Sequence, residues 1–287
     1  MIEYFNFGRI SIIGDLLFDC YIAGTVSRIF SETPVPVLSR AAHSAVLGGA
    51  AKVATNAVAV GCKEDVGGFA RCDDSAEKLR AALAPFAVIG LSGLVADPAW
   101  ATITQTRMLS GCQQIVCIDD ERVEPMADAT PARLIDAAYV AIAQADVMVC
   151  SDYANGVLSE NMLGAIMAFA AARDIPVIIA PKRGTFVDYR GAWLVTPNCD
   201  ELAIATGFSL RTDDDIAHAA EAVAGQFGGD VLVTRSEEGM MLRRTDGRFQ
   251  HARGRKSGCM TCAAGGIPWL PPTPAWSQPG MIWGPQL

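Results

Sequence analysis

Between Val147 and Thr234, short apolar runs recur at intervals that leave room for one helix each. Val147–Cys150, Val177–Ala180, Trp193–Val195 and Val231–Val233 are too short for helices and rich in β-branched residues, so they read as strands. Ser159 is a hydroxyl N-cap for a helix to about Arg173, and a further helix is expected from Asp213 to Gln226. Strands that are apolar throughout cannot present one face to water. Alternating with helices, they form a parallel sheet covered on both sides.

The N-terminal half extends the pattern less regularly. Ile10–Ile13 is a strand ended by Gly14-Asp15, and another short strand follows Gly61. Asp74 to Glu77 has capping-box spacing and opens a helix toward Leu83, while Thr130-Pro131 starts one to about Ala143. Two segments break the alternation, Tyr21–Ser39 and Thr102–Ile118. Both are rich in β-formers and turns, and they read as a separate small sheet, a lid.

Composition excludes several functions. A chain of 287 residues that is 51% hydrophobic can build one large α/β domain. Its net charge of −8, with no basic run beyond the Arg253–Lys256 neighbourhood, argues against nucleic acid as a partner. The first residues lack the basic-then-apolar order of a signal peptide. Arg173, Asp174 and Pro176 break the one candidate membrane span, Met162–Ala180. The nine cysteines are scattered and odd in number, which suits a reducing cytoplasm. Cys259 and Cys262 form a lone CxxC without the second ligand pair that a zinc site needs.

Ligands of doubly covered sheets bind at the carboxyl ends of the strands, where this chain places Asp15, Asp152, Lys182, Asn198 and Thr234. In GDLLFD, Asp15 and Asp19 can accept hydrogen bonds from sugar hydroxyls or can cap a loop. Gly48-Gly49 before an alanine-rich helix allows close backbone approach, or simply makes a tight helix start. In TPNCDE, Asn198 and Glu201 share one face of a first helical turn, a place for water, metal or phosphate or for plain capping. VTRSEEG, Val233 to Gly239, can line a nucleotide or be only a hairpin. No GxGxxG or Walker A sequence occurs.

This order of motifs resembles the ribokinase-like (PfkB) sugar kinase family. The segments GDLLFDCY, SRIFSETPVPV, GGAAKVATN, SDYANG, YRGAWLVTPNCDE and VTRSEEGM resemble most its heptose 7-phosphate kinase branch, on the ADP-heptose route to lipopolysaccharide. The resemblance covers Ile10 to about Gln250. It implies an α/β three-layer sandwich over residues 1–256, with a mostly parallel central sheet and a small β-sheet lid from segments near 20–40 and 102–118. The C-terminal helices would be truncated, leaving residues 257–287 as an irregular tail.

The resemblance further implies a cytoplasmic enzyme that uses ATP and Mg²⁺ to phosphorylate a heptose 7-phosphate at O1, and a homodimer through the lid. Asp15, Asp19 and Arg28 would face the phosphorylated sugar, with Gly48 and Gly49 at the lid hinge and Lys52 beside them. Asn198 and Glu201 would sit near the Mg²⁺-ATP phosphates, Glu201 reaching the metal through water. Thr234, Ser236 and Gly239 would line the nucleotide, with Asp152 and Lys182 nearby. Two rival readings are a non-catalytic remnant that binds sugar or nucleotide, and a kinase for another sugar.

The chain departs from the family pattern at Lys52 (for asparagine), Asn155 (for lysine), Ala180 (for aspartate), and Gly111 and Cys117 (for arginines). Lost cations weaken the hold on a phosphosugar. The larger departure is at the end. The family's DVTGAGDT, whose backbone N–H groups form an anion hole and whose Asp is the base, is absent, and no GxGD occurs anywhere. From Ser257 to Leu287 there is no charged residue, but six of the fifteen prolines and three of the five tryptophans. Read from the third base of the Cys259 codon, the codons through Leu270 force an Asp and permit Val, Gly, Gly, Asp, Thr and Val in the order DVxGxGDTV. A coding sequence read in the wrong frame would account for both the missing motif and the uncharged tail; the alternative is a natural divergent tail.

Overall fold

The computed structural model describes residues 8–59, 61–70, 74–86, 89–96, 102–120 and 130–254. Strand β1 (Arg9–Gly14) runs through Asp15 directly into β2 (Leu16–Ile29), which leaves the main sheet and pairs antiparallel with β3 (Pro36–Gly48). Helix α1 (Gly49–Ala59) returns the chain to β4 (Lys63–Ala70), followed by α2 (Asp74–Leu83) and β5 (Ile89–Ala96). A hairpin of β6 (Ile103–Ser110) and β7 (Gln113–Asp120) adds to the sheet of β2 and β3. Then come α3 (Thr130–Ile142), β8 (Val147–Ser151), α4 (Glu160–Ala171) and β9 (Val177–Ala180). The described chain closes with β10 (Leu194–Val195), α5 (Cys199–Thr206), α6 (Asp213–Phe227), β11 (Asp230–Thr234), β12 (Gly239–Arg243) and β13 (Phe249–Arg253).

The main sheet has the order β13-β12-β11-β10-β9-β8-β1-β4-β5 and is parallel from β11 to β5, with β12 and β13 antiparallel at one edge. The second sheet, β3-β2-β6-β7, joins it at Asp15 and again at Gly49. Successive residues of β1 show why the strands are apolar throughout. Ile12 belongs to the core cluster built with Ala50, Ala51 and Ala54 of α1 and Leu79 of α2, whereas Ile13 belongs to the other cluster, built with residues of α3, α4 and α6. Each such fully buried aliphatic side chain contributes roughly 1.5–3 kcal/mol, and the alternation commits both faces of the strand to helices.

The parallel elements follow the sequence expectations closely. The Ser159 hydroxyl accepts from the Met162 N–H at the start of α4, and Thr212 with Asp215 closes a capping box on α6. The lid differs. β2 begins at Leu16 rather than Tyr21, and β3 continues to Gly48 through an alanine-rich stretch of weak strand propensity. Pairing supplies what propensity lacks, because Leu17 to Ala23 is matched residue for residue with Gly48 to Ala42. β5 carried no strong periodic signal and was not anticipated. VTRSEEG is a hairpin turn between antiparallel β11 and β12. The tail at 257–287 lies outside the described residues.

Candidate functional site

The carboxyl ends of the central strands and the root of the lid meet where β1 becomes β2. Gly49 makes the junction possible. Its φ is +57°, and a Cβ there would stand 2.0 Å from the Asp15 carbonyl oxygen, which accepts the Ala50 N–H at 2.9 Å. Gly48 is ordinary strand, and a Cβ on it would lie 3.4 Å from an Asp19 carboxylate oxygen.

Asp15 is fully buried, and its carboxylate accepts the backbone N–H groups of Tyr153 (2.8 Å), Asn155 (3.3 Å) and Val157 (3.3 Å). Burial pushes its pKa up to about 6, against those three N–H groups, with the neighbouring Asp152 adding to the rise. Within the chain the carboxylate holds the loop after β8, whereas the resemblance implied that it faces the sugar.

Asp152 is engaged within the chain in the same way. It is 1% exposed and spends its oxygens on Arg183 Nε (2.5 Å), the Tyr189 hydroxyl (2.8 Å) and the Ala154 N–H (2.9 Å). Arg183 also binds Asp188 at 3.3 Å and the Leu158 carbonyl. A buried carboxylate with a guanidinium and two further donors anchors the structure around it.

Asp19, four residues into the lid, stands differently. It pairs with the Arg107 guanidinium of β6, which also donates to the Tyr21 hydroxyl (3.2 Å) and to Gln105 Oε1 (2.9 Å). The register places these groups together, since Asp19 lies opposite Gln105 and Tyr21 opposite Arg107. Both side chains of the pair remain partly open, so Asp19 keeps a polar surface for hydroxyl groups. Arg28 is not brought to this cluster. It is exposed near the far end of β2, nine residues on, on the order of 30 Å of extended strand. Lys52 is likewise exposed, on the second turn of α1.

On the other side of the loop after β8, Lys182 Nζ lies 2.8 Å from Glu201 Oε1. Glu201 Oε2 accepts the Asn198 N–H at 2.8 Å, and Asn198 Oδ1 accepts the Glu201 N–H at 2.8 Å, a complete capping box on α5. Capping is therefore the observed work of this pair. The hydrogen bond to Glu201 is the main reason that the Lys182 ammonium is held above its usual pKa. Thr234 bridges to Asn198 and donates its N–H to the Pro197 carbonyl at 2.9 Å, bringing the β11 end beside the start of α5. Ser236 (φ +51°) and Gly239 (φ +97°) turn the chain back in left-handed conformations. The Gly239 position admits no side chain, because a Cβ would stand 2.0 Å from the Ala252 carbonyl oxygen.

Among the described residues, no group of three His, Cys, Asp or Glu side chains could hold a metal directly. A water-mediated contact from Glu201 fits Mg²⁺, which keeps several waters and binds through few carboxylates plus substrate phosphates. Sequence reasoning gave no role to Arg107 or Arg183, which stand in no spaced motif, and quoted Tyr153 only as part of SDYANG. Tyr153 lies under the Lys182 ammonium, 5.6 Å from its ring centroid.

Residues 9–259 match the family profile described as pfkB family carbohydrate kinase. The Bifunctional protein HldE of Gluconobacter oxydans (strain 621H) is 50% identical over 257 residues, which are 90% of this chain and 54% of that protein. The protein of the same name from Azorhizobium caulinodans is 54% identical over 242 residues, 84% of this chain and 50% of that protein. The chain thus spans about half the length of these curated relatives. Among solved structures, Arabidopsis thaliana ribokinase complexed with ribose and ATP superposes with a TM-score of 0.66 at 16% identity, covering 85% of this chain and 77% of that one. Escherichia coli phosphofructokinase-2 in complex with potassium gives 0.67 at 16% identity, covering 85% and 78%. These likenesses show the ribokinase-like fold.

Proposed function

This chain belongs to the pfkB carbohydrate kinase family, and from that premise we propose that its domain is built to bring Mg²⁺-ATP and D-glycero-β-D-manno-heptose 7-phosphate together for phosphorylation at O1. We further propose that the chain as written lacks the means to complete the transfer. One observation carries the reading. An acidic lid group, Asp19 with Arg107, stands on the second sheet, and a capped helix start with its lysine, Asn198, Glu201 and Lys182, at the carboxyl ends of the main-sheet strands, in a chain 50% identical over 257 residues to a relative named HldE.

The roles follow from the chemistry of these groups. Asp19 accepts hydrogen bonds from sugar hydroxyls, oriented for that by Arg107. The turn from Thr234 to Gly239 lines the nucleotide, and Lys182 supplies a cation near its phosphates. Glu201 would hold a Mg²⁺ ion through water, and such an ion would supply charge neutralisation at the phosphates. What the sequence does not contain is the GAGD base and its anion hole. A positioned base is worth about 10²–10⁴ in rate, and one anion-hole donor about 10²–10³. The finer assignment also includes a homodimer through the lid, whose tip exposes Ile29, Phe30 and Val35.

Calorimetry on Asp19→Ala tests the acceptor half. Binding of heptose 7-phosphate should weaken at least tenfold while ATP binding changes less than twofold. Equal losses for both ligands, or none for the sugar, would remove Asp19 from the acceptor site.

A further inference from the structure

Two buried carboxylates and a guanidinium converge on the loop that follows β8. Asp15 receives the N–H groups of Tyr153, Asn155 and Val157, and Asp152 receives that of Ala154. Arg183 ties Asp152 to the Leu158 carbonyl at the loop's far end. The path is uncommon as well as tethered, since Ala154 (φ +60°) and Gly156 (φ +102°) are left-handed. Non-glycine residues hold such a conformation only where surrounding contacts over-determine it. Four of the loop's N–H groups are spent on fixing one shape.

That shape presents Tyr153. Its backbone is pinned, yet its side chain is 37% exposed, one of the few large apolar groups left open at the strand ends. The phenol hydroxyl has no hydrogen-bond partner among the described residues. Lys182 stands over the ring and is held there by Glu201. Burial raises the phenol's pKa, and the charges of Asp19, Glu201 and Asp15 raise it further while Lys182 opposes them. The surroundings of this one ring thus include both the lid carboxylate and the helix-start carboxylate.

We propose that Tyr153 is the platform of the acceptor site: the sugar ring packs on its exposed surface, and its hydroxyl bonds a sugar hydroxyl. This rests on the sugar-kinase reading above and adds to it a residue for recognition. A rigid aromatic ring offers area to the C–H face of a sugar at little entropic cost, and a phenol adds one directed polar contact. Asp15 and Asp152 are then positioning residues, acting on the acceptor through the loop that they hold. A ring that merely covers the lysine stem would leave sugar affinity untouched.

The test is calorimetry on the full chain with heptose 7-phosphate and, separately, with ATP. Tyr153→Ala should weaken sugar-phosphate binding by about tenfold to a hundredfold, the sum of an aromatic contact and a hydrogen bond, and Tyr153→Phe by about two- to tenfold. ATP affinity should change less than twofold in both, and the unfolding midpoint should hold because the side chain is partly exposed. Unchanged sugar affinity in Tyr153→Ala, or an equal loss of ATP affinity, overturns the platform and leaves the kinase reading intact. An unaltered chain that binds ATP but no heptose 7-phosphate overturns that reading, and the platform with it.

Discussion

Asp15 sets burial against hydrogen bonding, and the contest is measurable. Its carboxylate is wholly removed from water, which favours the protonated acid, while three backbone N–H groups favour the anion. Burial wins, moving the pKa from 3.8 to about 6. The folded state therefore keeps a proton that the unfolded chain releases, so this group's stabilising share is complete below about pH 4 and is lost as pH rises to about 6. A shift of about two units corresponds to about 3 kcal/mol, or about 6–12 °C in unfolding midpoint for a domain of this size. Asp15→Asn keeps the shape but cannot titrate. Urea unfolding of both proteins from pH 4 to pH 7 isolates the effect, because other groups cancel in the difference. The stability of the native chain relative to Asp15→Asn should fall by about 3 kcal/mol across that window. A flat difference would refute the argument, and a rise with pH would show that the N–H groups outweigh burial.

Two further substitutions probe the same framework. Arg183→Met leaves the buried Asp152 with only the Tyr189 hydroxyl and the Ala154 N–H, and should cost about 3 kcal/mol in urea unfolding; a loss below about 1 kcal/mol would make the pair dispensable. Gly49→Ala forces a side chain onto a φ of +57° and toward the Asp15 carbonyl oxygen, and should lower stability by about 2 kcal/mol or more in thermal unfolding. A neutral result there would mean that the lid junction relaxes freely.

The parallel sheet was legible because its strands carry their own signal. Runs such as VIIA at β9 are apolar on both faces, and the caps Ser159 and Thr212 mark helix starts by local chemistry. The site was legible in outline only. Asp15 and Asp19 look alike in GDLLFD, but the chain crosses from main sheet to lid between them. The donors that claim Asp15 come from residues some 138 positions away. Arg107 escaped notice for the same reason: a lone arginine in TQTRMLS has no motif, and its partner Asp19 is 88 residues distant. Asn198 and Glu201 stand at the start of α5 as their spacing implied, and they form a capping box there. Strand β3 was unreadable in part because register with β2, not composition, makes it a strand.

The proposed function gives this carbohydrate kinase domain a heptose 7-phosphate acceptor and no complete transfer machinery. ATP-dependent phosphorylation of heptose 7-phosphate, assayed on the chain as written and on one whose reading frame is shifted near codon 258, tests it most directly. Losing a base and an anion hole together should put turnover of the written chain below detection, even though such factors need not multiply cleanly. The frame-shifted protein should turn over. Turnover by the chain as written, with the frame-shifted protein inactive, would contradict the account.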